Sequence, residues 1–349
     1  MSTPKKIALV GAGVIGRQHG LVISQLAGQV ELVAVADVIP ERAEELAAQR
    51  GGRPYPSLTA ALAAEPVDVV VVCTPTGRHG EVAIEALQAG KHVIVEKPAE
   101  ITVARTDEII EAQQKAGTVV TVISQHRFDP STETTLAAIE NGELGRLTSG
   151  IASIDWWRGQ SYYDSGDWRG TWELDGGGAL MNQGVHTVDL LIAALGRPVE
   201  VFAYTATLAH ERIEVEDVAA GVVRFENGAL GLLHATTAAY PGLSARLQVH
   251  GDRGSAVIDN DQLVFFHATA PGAGADEQSY GATSARAVPT AGSDPGRLSD
   301  AHRLQYLNFL GALDGTEPLR VDLATNRRSI AVITGAYESA RTGRPVALS

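Results

Sequence analysis

The chain has 349 residues, and at one domain per roughly 150 residues this length predicts two domains. Apolar residues make up 44% and charged residues 20%, an ordinary globular composition that excludes disordered, collagen-like and coiled-coil classes. The 41 acidic residues outnumber the 28 lysines and arginines, and the formal charge of -13 would repel nucleic acid phosphates and anionic membranes. We therefore expect no nucleic acid and no membrane as partners.

Cysteine and histidine usage limits the chemistry further. Cys73 is the only cysteine, which excludes an intrachain disulfide and a cysteine-based metal cluster and fits a cytoplasmic protein. The histidines show no HExxH motif or tight ligand spacing, so we expect no metal. No apolar run reaches the roughly 18 residues of a transmembrane helix, and the basic and apolar segment 5–16 lacks the cleavage site of a signal peptide.

Residues 1–123 alternate between short apolar runs and helical patterns. Near-continuously apolar runs, such as VDVVVVC at 67–73, predict strands that are buried on both faces. We therefore expect an α/β domain, a doubly wound parallel sheet with helices on either side. In chain order, strands are predicted at 6–10, 30–36, 67–73, 92–95 and 118–123, and helices at 17–27, 40–49, 80–89 and 102–116.

Residues 124–349 follow a different period. Short strands separated by turn signals predict an α+β domain, an open, mostly antiparallel sheet with helices on one face. The segment 268–299 is rich in Gly, Ala, Pro and Ser and is interpreted as a long surface excursion. Strands are predicted at 146–157, 199–207, 217–225, 229–237, 244–250, 255–259 and 262–267, with helices at 131–140, 179–195 and 302–313 as candidates to cover the sheet.

A glycine-rich turn joins the first predicted strand to the first predicted helix. Gly11, Gly13 and Gly16 match G-x-G-x-x-G, with Val14 and Ile15 before the third glycine. The first glycine allows the tight turn, the second lets a pyrophosphate approach the backbone, and the third permits close packing of helix on strand. N–H groups at the helix N-terminus would then face the phosphates. These five residues are predicted to bind a dinucleotide, and a glycine turn that binds nothing is the alternative.

An acidic residue at the end of the second predicted strand indicates which dinucleotide binds. Asp37 lies 21 residues past Gly16, where a carboxylate accepts hydrogen bonds from the adenosine ribose hydroxyls and repels a 2′-phosphate. The next residue is Val38, so the arginine that usually holds such a phosphate is missing. We expect NAD, with Arg42 leaving NADP as the less favoured cofactor.

Four further motifs follow in order: Cys73-Thr74-Pro75-Thr76, Glu96-Lys97-Pro98, Gly176-Gly177-Gly178 and Gly184-Val185-His186. With them the sequence resembles the Gfo/Idh/MocA oxidoreductase family, which includes inositol and sugar dehydrogenases, over nearly the whole chain. The resemblance implies a Rossmann domain at 1–123, a substrate-binding and oligomerisation domain at 124–349, and an active site in the cleft between them. It also implies cofactor contacts from Thr74, Pro75, Thr76, His79, Glu96, Lys97 and Gln125.

Lys97 follows the strand 92–95, at the sheet edge where ligands collect. In the family that this chain resembles, the lysine hydrogen-bonds the nicotinamide ribose and the reacting oxygen of the substrate, which implies a catalytic role here. An ammonium group would stabilise the alkoxide-like charge that develops as hydride leaves the carbon. A solvated lysine at a strand end is the alternative. The family often has a cis peptide before the proline, so Lys97-Pro98 is a candidate for one.

His186 is the candidate proton acceptor, because imidazole titrates near neutral pH. Asn182 lies four residues earlier and is predicted to share a helical face with it. Many sugar and inositol dehydrogenases of the family carry Asp at this position, which completes a Lys, Asp and His triad. An amide cannot raise the pKa of the histidine by its charge, so we expect Asn182 to orient the ring or to bind a substrate hydroxyl. A purely structural histidine is the alternative.

The segment 155–172 holds all four tryptophans of an aromatic-poor chain. Aromatic rings stack on the C–H faces of sugars and charged side chains fix the hydroxyls, so this segment is predicted to form a substrate-binding wall. Core packing for the tryptophans and surface ion pairs for the arginines are the alternatives. The substrate-binding candidates are Lys97, Arg127, Trp156, Arg158, Tyr163, Trp168, Arg169, Asn182 and His186.

The leading hypothesis is an NAD-dependent dehydrogenase that oxidises a secondary hydroxyl of a sugar, sugar derivative or cyclitol. One alternative is a redox-neutral enzyme that keeps NAD bound and cleaves a glycosidic group. A non-catalytic regulator that senses NAD is another, and fold analogy alone does not separate them. An open sheet with one covered face leaves an apolar face to bury, so we expect a homodimer or homotetramer.

Overall fold

The computed structural model describes residues 3–269 and 296–349. Most of the surface excursion predicted at 268–299 lies outside the described residues. Regular structure nevertheless enters that segment from both sides, because one strand ends at Ala268 and a helix begins at Gly296.

The first part of the chain alternates between strands and helices. The strands are β1 (Lys5–Val10), β2 (Val30–Ala36), β3 (Arg53–Tyr55), β4 (Val69–Val72), β5 (His92–Val95) and β6 (Val120–Val122). The helices are α1 (Val14–Gln25), α2 (Pro40–Arg50), α3 (Leu58–Ala64), α4 (His79–Gln88) and α5 (Val103–Ala116). The sequence analysis does not predict β3, because its Arg-Pro-Tyr sequence contains no alternation of apolar and polar residues.

Strands dominate the second part. They are β7 (Leu147–Asp155), β8 (Pro198–Ala206), β9 (Val218–Phe225), β10 (Leu230–Thr236), β11 (Ala245–Gly251), β12 (Gly254–Asp259), β13 (Gln262–Ala268) and β14 (Val346–Ala347). A π-helical segment, Ala179–Gly184, leads directly into α8. The α-helices are α6 (Pro130–Glu140), α7 (Gln160–Tyr163), α8 (Val185–Leu195), α9 (Gly296–Leu313) and α10 (Leu323–Thr342).

The chain divides into two compact units, each assembled from two segments. Unit 1 consists of Met1–Gln125 and Pro295–Arg327, and unit 2 of His126–Asp294 and Arg328–Ser349. The sequence predicts one boundary, between residues 123 and 124. The return of residues 295–327 to unit 1 departs from that prediction.

Unit 1 is built on a parallel sheet in the order β3-β2-β1-β4-β5-β6. In its centre, Val10 of β1 is the register partner of both Ala36 of β2 and Val72 of β4. The side chains of Val69–Val72 are all buried, because helices cover both faces. This strand order is that of the doubly wound dinucleotide-binding fold and confirms the predicted fold class.

Alternate strand residues of unit 1 supply separate cores on the two faces of the sheet. Ile7 and Leu9 belong to one core, which includes residues of α1 and α2. Ala8 belongs to the other, which includes residues of α3, α4 and α5. Helix α9 adds Tyr306 and Phe309 to the first core. The expectation that the helix predicted at 302–313 covers the second sheet is therefore wrong, because its apolar side chains are buried in unit 1.

Unit 2 is built on a sheet in the order β13-β12-β11-β7-β10-β9-β8-β14. Within the described residues its neighbouring strands pair antiparallel, apart from the parallel pair β7 and β10. Helix α8 packs on this parallel pair, where Gly150 and Gly231 are register partners. A Cβ atom on either glycine would come within 2.9 Å of Leu191 of α8, so these glycines allow the helix to lie close. The predicted mostly antiparallel sheet is confirmed.

Helix α10 also packs in unit 2, although the sequence analysis does not predict it. Its side chains Ile330 and Ile333 are fully buried, and Ser339 Oγ accepts a hydrogen bond of 3.1 Å from the N–H of Ala203 in β8. The β-branched run in its centre weakens the helical pattern.

The other face of this sheet carries exposed apolar side chains. Leu232 alternates with the inward residues of β10 and is 48% exposed. Its register partner Val222 is 40% exposed, and Tyr204 of β8 is 68% exposed. In the part of the chain that is described, no helix combines the length and apolarity needed to cross a membrane.

Candidate active site

The glycine turn between β1 and α1 has the geometry that its sequence predicts. Gly11 has φ of 95°, and a Cβ atom there would lie 2.5 Å from the carbonyl oxygen of Cys73. A Cβ at Gly16 would lie 1.9 Å from the carbonyl oxygen of Gly11. At Gly13, by contrast, a Cβ would meet nothing within 4 Å. The outer two glycines therefore close the turn, while the middle one leaves open space in front of the backbone.

Asp37 ties the glycine turn to the end of β2. Its Oδ2 accepts a hydrogen bond of 2.7 Å from the N–H of Ala12, and its Oδ1 accepts one of 2.8 Å from the N–H of Ile39. The carboxylate is 9% exposed, and each oxygen keeps a lone pair for a ribose hydroxyl. Val38, the residue that would carry a phosphate-binding arginine in an NADP site, is 89% exposed.

Two orphaned polar atoms in unit 1 suit a polar ligand. Thr74 Oγ1 and Gln125 Oε1 are buried and have no hydrogen-bond partner among the described residues. Such groups are costly unless a ligand or water satisfies them. Together with the open space at Gly13 and the N-terminus of α1, they fit a bound dinucleotide.

His79 and Glu96, two residues predicted to contact the cofactor, serve the framework of unit 1. Both nitrogens of His79 lie against carbonyl oxygens, Nδ1 at 2.8 Å from Pro98 and Nε2 at 2.9 Å from Thr74, and burial lowers the pKa of the ring. His79 is 1% exposed. It joins the Thr74 loop to the Lys97-Pro98 loop, so its predicted direct contact with the cofactor is not supported by its position.

Glu96 lies beneath Lys97 in a buried polar cluster. Its Oε1 accepts a hydrogen bond of 2.9 Å from His19 Nε2, and its Oε2 accepts one of 2.9 Å from the N–H of Lys97. Burial alone would raise the pKa of Glu96, but hydrogen bonds from His19 and His302 outweigh it and hold that pKa well below its usual range. Tyr306 OH lies 2.7 Å from His19 Nδ1, so a neutral His19 with its proton on Nε2 satisfies both contacts. Glu96 therefore positions the backbone of Lys97.

Lys97 itself is half-buried and follows β5, and the Lys97-Pro98 peptide bond is cis, as the resemblance implied. Thr76, buried, begins a short 3₁₀ turn that leads into α4 and follows Pro75. Val14 is 85% exposed at the start of α1, and Ile15 is partly buried against the core.

In unit 2, the glycine turn before α8 is anchored by Glu216. Its Oε2 accepts a hydrogen bond of 2.9 Å from the N–H of Gly178, and its Oε1 accepts one of 2.8 Å from Leu180. Tyr337 OH donates a further hydrogen bond of 3.0 Å to Oε1. Burial raises the pKa of Glu216 to about 7, although the two N–H groups favour the ionised form. A Cβ at Gly178 would lie 1.7 Å from the Glu216 carbonyl oxygen, so the turn requires glycine there.

Asn182 lies in the π-helical segment and not in the α-helix that the sequence predicts. His186 lies in α8, which continues directly from the π-helical segment. Asn182 Nδ2 donates to Asp175 Oδ1 at 2.9 Å and to Tyr162 OH at 3.4 Å. Asp175 is buried and also accepts from the N–H of Gly170. The NH₂ group of Asn182 therefore faces the carboxylate of Asp175.

His186 is half-buried at the start of α8, with its ring edge-on to that of His126 at a centroid distance of 5.1 Å. His126 Nδ1 lies 2.8 Å from Asp129 and 3.1 Å from Asp261. Burial alone would lower the pKa of His126, but hydrogen bonds to these two carboxylates raise it to about 10. The histidine beside the predicted proton acceptor is therefore a cation at neutral pH.

Two of the predicted substrate residues have other partners. Arg127 donates to the carboxylate of Asp189 in α8 from Nε at 2.6 Å and from Nη2 at 2.8 Å. This bidentate ion pair holds the helix three residues beyond His186. Tyr163 is 6% exposed, and its OH lies 2.8 Å from Thr237 Oγ1. Arg127 is therefore corrected to a residue that positions α8, and Tyr163 to a core residue.

The neighbour of Tyr163 takes the predicted position instead. Tyr162 is half-buried, and its OH accepts hydrogen bonds from Asn182 and from Gln183 Nε2, the latter at 3.3 Å. The sequence SYYD contains both tyrosines and does not show which one points inward. Asp175, directly before the three glycines, is another site residue that the sequence analysis passed over.

Two predicted substrate residues, Arg158 and Arg169, contact the ring of Tyr162, and each also contacts a tryptophan. We call the set Trp156, Arg158, Tyr162, Trp168 and Arg169 the arginine–aromatic cluster. The Arg158 guanidinium carbon lies 4.9 Å from the ring centroid of Trp156 and 5.4 Å from that of Tyr162. The Arg169 guanidinium carbon lies 4.3 Å from Tyr162 and 4.4 Å from Trp168. The other tryptophans have different partners, Trp157 packing on Tyr240 and His210 and Trp172 on Tyr337.

Comparison with known proteins places both halves of the chain. Residues 5–124 match the model of an oxidoreductase family with an NAD-binding Rossmann fold, and residues 132–257 match the GFO/IDH/MocA C-terminal domain. The myo-inositol 2-dehydrogenase of Thermotoga maritima is 30% identical over 268 residues, which is 73% of this chain and 75% of that protein. The chain belongs to the Gfo/Idh/MocA family.

Other members extend the likeness. The WlbA dehydrogenase of Chromobacterium violaceum, solved with NADH and UDP-GlcNAcA, matches with a TM-score of 0.88 at 32% identity over 100% of this chain and 97% of WlbA. The levoglucosan dehydrogenase of Pseudarthrobacter phenanthrenivorans is 28% identical over 290 residues, 73% of this chain and 74% of that protein. As a Gfo/Idh/MocA protein, the chain is an oxidoreductase with an NAD-binding Rossmann domain, which confirms the predicted enzyme class and cofactor.

Proposed function

We propose that this protein is an NAD-dependent dehydrogenase that oxidises a secondary hydroxyl of a sugar, sugar derivative or cyclitol. The observation that carries the proposal is the half-buried His186 at the start of α8, in a segment held by Glu216 and Asp189 and directly after the π turn that contains Asn182. The named activities of relatives, on inositol and levoglucosan, support the substrate class.

Each candidate has a distinct chemical role in the proposed reaction. His186 accepts the hydroxyl proton as general base, and the Lys97 ammonium stabilises the negative charge that develops on the oxygen. When bound, NAD supplies the hydride acceptor. Gly11, Gly13, Gly16 and Asp37 hold the dinucleotide, and the buried Thr74 Oγ1 and Gln125 Oε1 supply further polar contacts.

Asn182 contributes through the orientation of its amide. Because the carboxylate of Asp175 accepts only, it fixes the NH₂ group of Asn182 and so sets the orientation of the amide. The buried carboxylate of Asp175 thus contacts the side chain at position 182, where many family members carry Asp. The ring of His126, a cation at neutral pH, lies edge-on to that of His186.

Two variants with matched controls test these roles. We expect His186→Ala to lower kcat about 10²–10⁴-fold, the range for loss of a general base. Lys97→Ala is expected to lower kcat about 10²–10³-fold, as for loss of an oxyanion donor. His250→Ala, another half-buried histidine of unit 2, and Lys115→Ala, on an 81% exposed side chain of unit 1, should leave kcat unchanged. Wild-type kcat in either active-site variant would contradict the assignment.

A redox-neutral, glycoside-cleaving enzyme that retains NAD is the alternative within the same chemistry. It would use the same base and the same lysine, so the substitutions above do not separate the two. Accumulation of free NADH does, because only the dehydrogenase releases it in proportion to product. A non-catalytic sensor is less favoured, since it has no use for both Lys97 and His186.

We also propose that the protein self-associates through the outer face of the unit 2 sheet. The exposed side chains of Val222 and Leu232 form an apolar pair there, and Tyr204 lies on the adjacent strand. Burial of such a face against a second copy removes it from water. Light scattering should give a mass at least twice that of the chain for the wild type and a smaller one for Leu232→Glu. Leu208→Glu, on a 75% exposed leucine beyond β8, is the control.

A further inference from the structure

Two arginines of the arginine–aromatic cluster differ in charge balance from Arg127 and Arg212, which are ion-paired. Arg127 and Arg212 lie 2.6 and 2.9 Å from the carboxylates of Asp189 and Asp164. Within the described ranges, 3–269 and 296–349, no carboxylate lies within ion-pair distance of Arg158 or Arg169. In a chain of net charge -13, two adjacent guanidinium groups without an acidic partner form a local reversal of charge.

The two groups are held close together. Both guanidinium carbons lie within 5.4 Å of the centroid of one ring, that of Tyr162. Stacking on Trp156 and Trp168 fixes the planes of the guanidinium groups. A guanidinium group that lies over an aromatic ring keeps the N–H groups on its edge for hydrogen bonds. Like charges held this close repel one another, and a bound oxyanion relieves that repulsion.

The nearby carboxylates have other partners. Asp155 pairs with His234, and Asp164 pairs with Arg212. Asp175, which faces Tyr162, accepts hydrogen bonds from Gly170 and Asn182. Asp155 and Asp164 are thus ion-paired with other residues, and Asp175 lies beyond ion-pair distance of Arg158 and Arg169.

The cluster adjoins the residues assigned to the substrate. Tyr162 contacts both arginines through its ring and hydrogen-bonds Asn182 through its OH, and Asn182 precedes His186 by four residues. Arg158, Tyr162 and Arg169 are each half-buried, so they remain open to a ligand. A planar guanidinium pair matches the oxygens of a carboxylate or a phosphate.

We propose that Arg158 and Arg169 form an oxyanion subsite, and that the substrate is a sugar bearing a carboxylate or phosphate group. This rests on the proposed function, because it places the anion on the substrate of the dehydrogenase. The rings of Trp156 and Trp168 border the sugar, and the arginine edges bind its charged group.

Tryptophan fluorescence provides the test, since Trp156 and Trp168 stack on the arginines themselves. The full-length protein, with and without NAD, is titrated with D-glucuronate, D-glucose 6-phosphate and D-glucose. We expect one of the two anionic sugars to bind at least tenfold more tightly than glucose, with an affinity that falls as NaCl is raised. Preference for glucuronate identifies a carboxylate subsite, and preference for the 6-phosphate identifies a phosphate subsite.

Substitutions assign the effect to the two arginines. Arg158→Gln and Arg169→Gln should each weaken binding of the preferred anion at least tenfold, while binding of glucose is unchanged. Arg224→Gln, on a 63% exposed side chain of β9, is the matched control and should bind as the wild type does. Arg158→Lys and Arg169→Lys retain the charge and should lose less affinity than the Gln variants. Thermal melting verifies that each variant is folded.

Three results would overturn the subsite: equal affinities for the anionic and neutral sugars, no fluorescence change with either anion, or a folded double Gln variant that keeps the preference. The titration needs no turnover, so its outcome is separate from that of the dehydrogenase assay. Tight anion binding without NADH formation from any hydroxyl would contradict the proposed function and leave the subsite standing.

Discussion

Substitution of the middle glycine of the turn separates cofactor binding from folding. Gly13 has φ of -71° and ψ of -161°, which alanine adopts readily, and a Cβ there meets nothing within 4 Å. Gly13→Ala should therefore change the free energy of unfolding by less than about 1 kcal/mol, the cost of alanine at a helix N-cap. The added methyl group occupies the open space proposed for the pyrophosphate. We expect the Kd for NAD to rise at least tenfold, which corresponds to about 1.4 kcal/mol.

Two further glycines provide the comparison. A Cβ at Gly16 would lie 1.9 Å from the Gly11 carbonyl oxygen, so Gly16→Ala should destabilise the protein by about 1–3 kcal/mol through overpacking. Gly159 is also an N-cap, of α7, and its backbone is likewise extended, with φ of -69° and ψ of 160°. Gly159→Ala should change the free energy of unfolding by less than about 1 kcal/mol, as Gly13→Ala does. It should leave the Kd for NAD unchanged.

Urea unfolding measures the first quantity and isothermal titration with NAD the second. Wild-type NAD affinity in a stably folded Gly13→Ala protein would refute the placement of the pyrophosphate at the turn. A large loss of stability in that variant would refute the open space itself.

Three other predictions concern unit 2. Because burial raises the pKa of Glu216 from 4.5 to about 7, its contribution to the free energy of unfolding is present below pH 4.5 and is lost, by about 3 kcal/mol, as pH rises to 7. Glu216→Gln should therefore flatten the fall of stability between pH 4.5 and 7 in urea titrations. Because the pKa of His126 is raised to about 10, its contribution to the free energy of unfolding is complete below pH 6.5 and is lost as pH rises through about 10. The difference in the free energy of unfolding between wild type and His126→Gln should therefore shrink from pH 6.5 to 10. Tyr163→Phe should cost about 1 kcal/mol of stability with little effect on kcat/KM, whereas Tyr162→Phe should lower kcat/KM with little effect on stability.

Each of these has a contrary result. Parallel pH curves for Glu216→Gln and the wild type would show that the buried carboxyl does not titrate in this range. A His126→Gln difference that is constant from pH 6 to 10 would show that the pKa of the ring is not raised by its two carboxylates. The reversed pattern for the two tyrosines would return Tyr163 to the substrate site.

The sequence predicts the fold well where hydrophobic periodicity is strong. β2 and β5 match their predicted bounds, because continuous apolar runs end at clear turn signals. The periodicity does not reveal β3, whose pairing depends on its neighbour β2, or the core to which α9 contributes. Both are set by tertiary contacts that leave no local pattern.

The candidate site shows the same division. The glycine turn, Asp37 and Lys97 were identified by spacing along strands and helix starts, which topology places at one sheet edge. The direction of the side chains within the segment 155–172 could not be predicted. A four-residue helix such as α7 has no periodicity to show whether Tyr162 or Tyr163 faces inward. The π turn that contains Asn182 likewise begins beside the Glu216 anchor, which is 38 residues from Gly178 in sequence and leaves no local pattern.

The most direct test of the central claim is the stoichiometry of NADH to product. Enzyme and NAD are incubated with free sugars, sugar acids, sugar phosphates, glycosides and inositols, NADH is followed by its absorbance, and products are identified by mass spectrometry. If the protein is the proposed dehydrogenase, at least one of these compounds yields one NADH for each molecule of ketone or lactone. A cleaved glycoside without NADH, or bound NAD with no product from any compound, would contradict it.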